Sequence, residues 1–179
     1  MALAARGVRQ QLAGSPDAGG ADLITKVALA TGSVGGAIGP IYASGLLAVA
    51  GTLRNIQMDE GVQLAHLLAC AEAAESAVSA LGGAKPGDKT ILDAMSPAVG
   101  SLRAAESAGT PVGVALGGAA DAARAGATAT ASMTATLGRA SRLGERSLGL
   151  ADPGAASFAL ILEAMATSYA AATGERRDG

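Results

Sequence analysis

Residues 138–155 read G-R-A-S-R-L-G-E-R-S-L-G-L-A-D-P-G-A. A long alanine-rich run with helical spacing, 111–137, precedes this stretch, and a second opens at Pro153 as it ends. Three arginines (Arg139, Arg142 and Arg146) and four glycines stand together here, in a chain that is 16% charged. A polar, glycine-rich connection between two apolar helices marks a chain of helices joined by loops, and is itself a candidate ligand loop. The arginines point to an anionic ligand, because guanidinium matches phosphate and carboxylate geometry.

The composition agrees with a helical reading. The 179 residues are enough for one domain with its own core. Half are hydrophobic, yet Tyr42, Phe158 and Tyr169 are the only aromatics, so the core must be Ala, Leu, Val and Ile. Alanine lets helices approach closely, whereas a β-sandwich would want β-branched and aromatic residues. The predicted class is all-α.

Composition also excludes functions. A net charge of −2 leaves no broad basic footprint for nucleic acid, and three aromatics cannot form a base-stacking platform. The single Cys70 forms no internal disulfide, which fits a cytoplasmic protein. Residues 1–13 carry Arg6 and Arg9 among glutamines and lack the apolar core of a signal peptide. The run between Lys26 and Arg54 is free of charge and longer than the roughly 20 residues a membrane span needs. It is broken by Gly32, Gly35, Gly36, Gly39 and Pro40 and lacks flanking aromatic anchors, so it reads as two buried helices rather than a span.

The pattern predicts about seven helices in an antiparallel, up-and-down bundle, forming a single domain over 1–173 with a frayed charged tail at 174–179. They cover 2–13, 22–29, 39–53, 59–83, a helix from Thr90, 111–137, and one from Pro153. Asp59 and Asp88 are natural N-caps, and the paired Gly82 and Gly83 stop the fourth helix. Pro97 falls inside the fifth and should kink it unless its neighbours re-satisfy the backbone. The fourth helix is read with Val62, Ala65, Leu68, Ala69 and Ala73 on its apolar face. The last is read with Phe158, Ile161, Leu162, Met165 and Tyr169 inward.

Three glycine-containing loops, 31–40, 82–90 and 138–154, follow alternate helices and are expected at one end of the bundle. That end would combine glycine-rich backbone, helix starts near Gly39, Thr90 and Pro153, and Arg139, all suited to an anion such as a nucleotide diphosphate. Spacing by itself leaves phosphate binding and plain turn chemistry both open. The remaining polar residues have simpler readings. His66 is a helix-surface or packed histidine, Cys70 a small core residue, and Glu145 and Arg146 braces of the long loop.

Three of these segments carry a resemblance. Ser33-Val34-Gly35-Gly36-Ala37-Ile38-Gly39-Pro40 resembles the "SVGGASGP" segment of the L subunit of dihydroxyacetone kinase. Pro86-Gly87-Asp88-Lys89-Thr90 matches that family's "PGDKT" loop, and residues 138–155 match "GRASYLGERS…DPGA". The motifs occur in order, at compatible spacing, and the likeness covers essentially the whole chain.

The resemblance implies an all-α barrel of antiparallel helices that binds ADP or ATP through magnesium at one end. It implies transfer of a phosphoryl group to dihydroxyacetone, or a similar small ketose, held on a partner K subunit. ATP, or a phosphotransferase-type subunit that recharges bound ADP, would be the donor. Carried over residue by residue, nucleotide contacts fall on Ala37, Ile38, Gly82, Ile91, Arg139, Asp152, Pro153 and Gly154, with Arg139 on the phosphates. Ile38 departs from the family's serine and loses one hydroxyl contact.

The family's magnesium-holding aspartates lie in a loop after its first helix, just ahead of a methionine that Met1 matches. Asp17 and Asp22 have the wrong spacing to replace them, and His66 does not replace that loop's histidine. The resemblance therefore predicts a chain truncated ahead of its metal loop, lacking the family's first helix and inactive by itself. Exposed apolar surface and self-association would follow. A non-catalytic binding module of the same fold, of the kind that partners a transcription regulator, is the alternative it implies.

Overall fold

A computed structural model gives the fold of the chain. The structure describes residues 6, 8, 9, 13, 14, 19–56 and 62–174, and within these not the side chains of Arg139 and Leu143. Six α-helices lie among the described residues: α1 Gly20–Gly32, α2 Ile38–Arg54, α3 Leu64–Gly82, α4 Leu92–Ser107, α5 Val112–Ala129 and α6 Pro153–Thr173. Two 3₁₀ segments, Thr130–Ser132 and Arg139–Ser147, fall between α5 and α6, and no strand occurs among the described residues. The all-α reading holds. The helix expected over 2–13 and the cap expected at Asp59 lie outside the described residues, the former apart from a few isolated positions.

The chain divides into two compact units, residues 1–62 with 69–82, and residues 63–68 with 83–179. In the first, α1 packs along α2. The charge-free run is split as expected: α1 ends at Gly32, and Gly36 turns the chain at φ +87° into α2. Gly39 fits because it is glycine, since a Cβ there would lie 2.2 Å from the Val34 carbonyl oxygen. Gly45 brings α2 against α3, its Cβ position 3.4 Å from Val78 Cγ2. Arg54 Nη2 donates to Thr25 Oγ1 at 3.0 Å and lies 3.7 Å from Asp22 Oδ1, linking the end of α2 to the start of α1. That ion pair is exposed and contributes at most about 1 kcal/mol.

In the second unit α4, α5 and α6 pack against one another. The contact is built from alanine: Ala94 and Ala98 on α4, Ala119, Ala120 and Ala123 on α5, and Ala155 and Ala166 on α6 are all 2% exposed or less. Small side chains allow close helix approach, so dispersion between backbones replaces the large side chains this composition lacks.

Several boundaries and faces differ from expectation. The buried face of α6 is Ala155, Ala159, Leu162 and Ala166, while Ile161 and Met165 are 38% and 53% exposed. The alanine stripe wins because only it fits against α5 at close range. On α3 the buried residues include Leu64, Cys70 and Val78, and Val62 precedes the helix and is exposed. The α5 helix stops at Ala129, eight residues short of Leu137, and beyond it the hydroxyls of Thr130 and Thr136 make tertiary hydrogen bonds. Helix α4 starts at Leu92 rather than Thr90 and continues through Pro97. By length and composition α3 and α6 could each cross a membrane, but Glu72, Glu75 and Glu163 lie within them.

Candidate functional site

The loop between α3 and α4 is tightly wound. Gly83 and Gly87 have φ of +65° and +99°, and Lys89, a residue with a side chain, sits at +58°. A non-glycine residue in the left-handed region costs about 1–2 kcal/mol, so surrounding contacts must hold it there. Asp93 supplies two of them. Its Oδ1 accepts from the Gly87 amide at 2.6 Å and its Oδ2 from the Thr90 amide at 2.7 Å. The expected cap, Asp88, instead turns back: Oδ2 accepts from the Lys85 amide at 2.9 Å and Oδ1 from the Thr136 hydroxyl at 2.7 Å. The Thr136 hydroxyl, followed by the Lys85 amide, holds the Asp88 carboxyl below the ordinary aspartate range. The acid that organises the start of α4 is thus one turn further along than the sequence suggested.

A second loop closes onto the first. Lys89 is 5% exposed, and its Nζ donates to the Met133 carbonyl at 3.0 Å and to the Ser147 carbonyl. Ser147 Oγ accepts from the Ala135 amide at 3.1 Å and donates to the Gly144 carbonyl at 2.7 Å. The Gly149 amide donates to the Ala131 carbonyl at 2.8 Å. Residues 133–147 therefore form an arch with a hydrogen-bonded stem, with Arg142 and Arg146 exposed on it. The backbone of Arg139 opens its 3₁₀ segment just after Gly138 at φ +67°.

The third element is the start of α6. Thr130, fully buried, donates to the Ala127 carbonyl at 2.5 Å and accepts from the Asp152 amide at 2.8 Å. Asp152 Oδ2 then accepts from the Ala155 amide at 2.8 Å, capping α6, with Pro153 in its first turn. Gly154 lies in a cradle: a Cβ there would come 2.9 Å from Asp152 Oδ2 and 3.5 Å from Ile91 Cβ. Burial pushes the Asp152 carboxyl above the ordinary aspartate range. Asp93 adds to the rise, while the Ala155 and Gly154 amides and Lys89 oppose it.

A carboxyl with a raised folded pKa binds more protons folded than unfolded, so its contribution to stability is greatest in acid and is lost as pH rises through the raised value. Asp152→Asn keeps the capping oxygen and removes the ionisation. It is expected to equal or exceed the parent in melting temperature at pH 7.5, with the difference moving against it at pH 4. A pH-independent difference would refute the raised ionisation. Asp152→Ala should lose about 1 kcal/mol from the cap, and the loss should be smaller at pH 7.5 than at pH 4 because the ionisation goes too.

Of the sequence-derived site residues, the structure brings Ile91 together with Asp152, Pro153 and Gly154, from motifs some sixty positions apart. Ala37 and Ile38 lie at the start of α2, and Gly82 ends α3, all in the other compact unit. The side chain of Arg139 lies outside those described. The expectation of bare helix starts is corrected at α6, where Asp152 accepts from the Ala155 amide, while Asp93 takes the Gly87 and Thr90 amides of the loop just ahead of α4. Sequence reading missed Asp93, Lys89 and Thr130. The legible signal was Asp93 itself, a lone charge amid Ile91, Leu92, Ala94 and Met95. His66 accepts from the Gln63 amide through Nδ1 at 3.4 Å at the start of α3. Cys70 is buried, as expected, and burial raises its thiol pKa.

Comparison with known proteins decides the family. The model of the DAK2 domain matches residues 1–167. The chain belongs to the DAK2 domain family. Among its relatives is the Escherichia coli protein described as the ADP-binding subunit DhaL of PEP-dependent dihydroxyacetone kinase, 38% identical over 134 residues, or 75% of this chain and 62% of that protein. The L-erythrulose 1-kinase of Mycolicibacterium smegmatis is 34% identical over 74% of this chain and 22% of its own length. The human triokinase/FMN cyclase is 35% identical over 90% of this chain and 28% of its own length. The chain thus spans less than two thirds of these relatives.

The loops of this DAK2 domain carry exposed cationic side chains. Arg142 and Arg146 are exposed on the arch, and the Cβ position of Gly154 is closed off by Asp152 and Ile91. Among the described residues no group of three or more His, Cys, Asp or Glu side chains could hold a metal ion. The carboxylates of Asp88, Asp93 and Asp152 each accept from a backbone amide.

Proposed function

We propose that this chain is the nucleotide-binding part of a phosphoryl-transferring kinase of the dihydroxyacetone kinase type, holding ADP or ATP. The observation that carries the reading is the DAK2 match over 1–167 together with the three interlocked segments 83–91, 133–147 and 150–155. Ala37, Ile38, Gly82, Ile91, Arg139, Asp152, Pro153 and Gly154 are the proposed contacts, with Arg139 on the phosphates. Residues 1–173 act as one domain, in the cytoplasm and not in a membrane. The acceptor is dihydroxyacetone or a similar small ketose such as erythrulose. It is presented by a K-type subunit, and a phosphotransferase-type subunit or ATP is the phosphoryl source.

Titration of ADP by calorimetry tests this reading. The parent chain is expected to bind, and Arg139→Ala to weaken binding by ten- to a hundred-fold, the size of a lost charge-assisted contact of about 1.5–3 kcal/mol. Absence of ADP binding, with or without magnesium, would sink it. A second reading, implied by the family resemblance, is nucleotide binding without turnover by this chain. Phosphoryl transfer from ATP to dihydroxyacetone by this chain plus a K subunit would overturn that second reading and leave the first intact.

A further inference from the structure

We propose that Lys89 is a positioning residue, a buried clamp through which the 83–91 loop holds the 133–147 arch closed and so presents the turn that carries Arg139. Four observations converge on it. Lys89 adopts φ +58°, a conformation that side-chain-bearing residues rarely take, and this orientation accompanies burial of its side chain to 5% exposure. Its ammonium is accepted by the carbonyls of Met133 and Ser147, which are the two ends of the arch. Ser147, also 5% exposed, ties its hydroxyl to Ala135 and Gly144 inside the same arch. Asp88, the residue before Lys89, accepts from the Thr136 hydroxyl and amide, so adjacent residues of one loop grip the arch at two points.

A buried ammonium satisfied by main-chain carbonyls, rather than by a carboxylate partner, makes the backbone path of the arch depend on one side chain. Arg142, Glu145 and Arg146 lie on the arch in the same 3₁₀ segment that the Arg139 backbone opens. The stem supplies the restraint that keeps it folded back. Displacement of the 83–91 loop would release the arch, and engagement of the arch would steady the loop. The clamp itself does not require a bound nucleotide; its consequence for affinity rests on the nucleotide reading above.

The test is limited trypsin digestion of the full chain with mapping of cleavage sites, in the parent, Lys89→Met and Ser147→Ala. Cleavage after Arg142 and Arg146 on the arch is compared with cleavage after Arg103 and Arg124 on α4 and α5. Lys89→Met is expected to raise arch cleavage at least ten-fold relative to the helical sites, and Ser147→Ala to raise it by a smaller factor. Unchanged arch cleavage, or an equal rise at helical and arch sites, would overturn the clamp. If Lys89→Met does not fold, Ser147→Ala decides, together with hydrogen exchange on the parent. The Ala135 and Gly149 amides should exchange at least ten-fold more slowly than those of exposed arch residues, and fast exchange there also overturns it. A second arm measures ADP affinity. A ten-fold loss in Lys89→Met with arch-selective cleavage extends the clamp to binding. Arch-selective cleavage in a chain that does not bind ADP at all keeps the clamp and rejects the nucleotide reading.

Discussion

Gly126→Ala is expected to destabilise the second unit by more than about 3 kcal/mol, a large effect for adding one methyl group. A Cβ at this position would lie 2.1 Å from the Asp93 carbonyl oxygen and 3.2 Å from Ala94 Cα, both backbone atoms. No side-chain rotation relieves such a clash, so α5 must retreat from α4. The approach is possible because of Pro97. Proline has no N–H, so the carbonyl of Asp93, four residues earlier, is denied its helical partner. The Cα of Gly126 approaches that carbonyl closely, in the manner of Cα–H···O contacts at helix interfaces. Pro97 and Gly126 thus form one crossing, which accounts for a helix that continues through an interior proline. Urea unfolding measures the change. A loss below about 1 kcal/mol would mean that the crossing yields easily.

Asp93→Ala is expected to cost about 2–4 kcal/mol, because it leaves the amides of Gly87 and Thr90 without their acceptor beneath a tightly wound loop. Asp93→Asn should be little better. The carboxylate takes one amide proton on each oxygen, whereas an amide side chain offers one oxygen and turns its NH2 toward the other N–H donor. The two variants are compared by urea midpoint and slope. An asparagine variant within about 0.5 kcal/mol of the parent would show that only one of the two bonds matters. Because the same loop carries Lys89, both variants should also loosen the 133–147 arch.

These two residues show where reading the sequence stopped short. Asp88 was the evident cap, since it follows a glycine and precedes a helical run. Instead the loop doubles back onto Asp93, in the first turn of α4, which accepts from the Gly87 and Thr90 amides without capping the helix. No local preference reveals which of two nearby aspartates a loop will fold onto. On α6, hydrophobicity pointed to Ile161 and Met165 as inward residues, but contact with α5 is set by what fits, and alanine fits. In chains whose helices are alanine on several faces, hydrophobic periodicity has little contrast, and shape decides the buried side.

What the sequence determined by itself was the helical class, most helix positions and the three loop motifs, because these depend on local chemistry. Alanine and leucine favour helix, paired glycines and prolines end it, and glycine at Gly36, Gly87 and Gly138 permits the turns. What only the tertiary structure decided was the polar lattice of buried Lys89, Asp93, Thr130 and Ser147 with half-buried Asp152, which joins segments up to sixty residues apart. Its members are ordinary polar residues in the sequence. They become essential only once burial removes water and leaves each donor and acceptor dependent on a partner supplied by another loop.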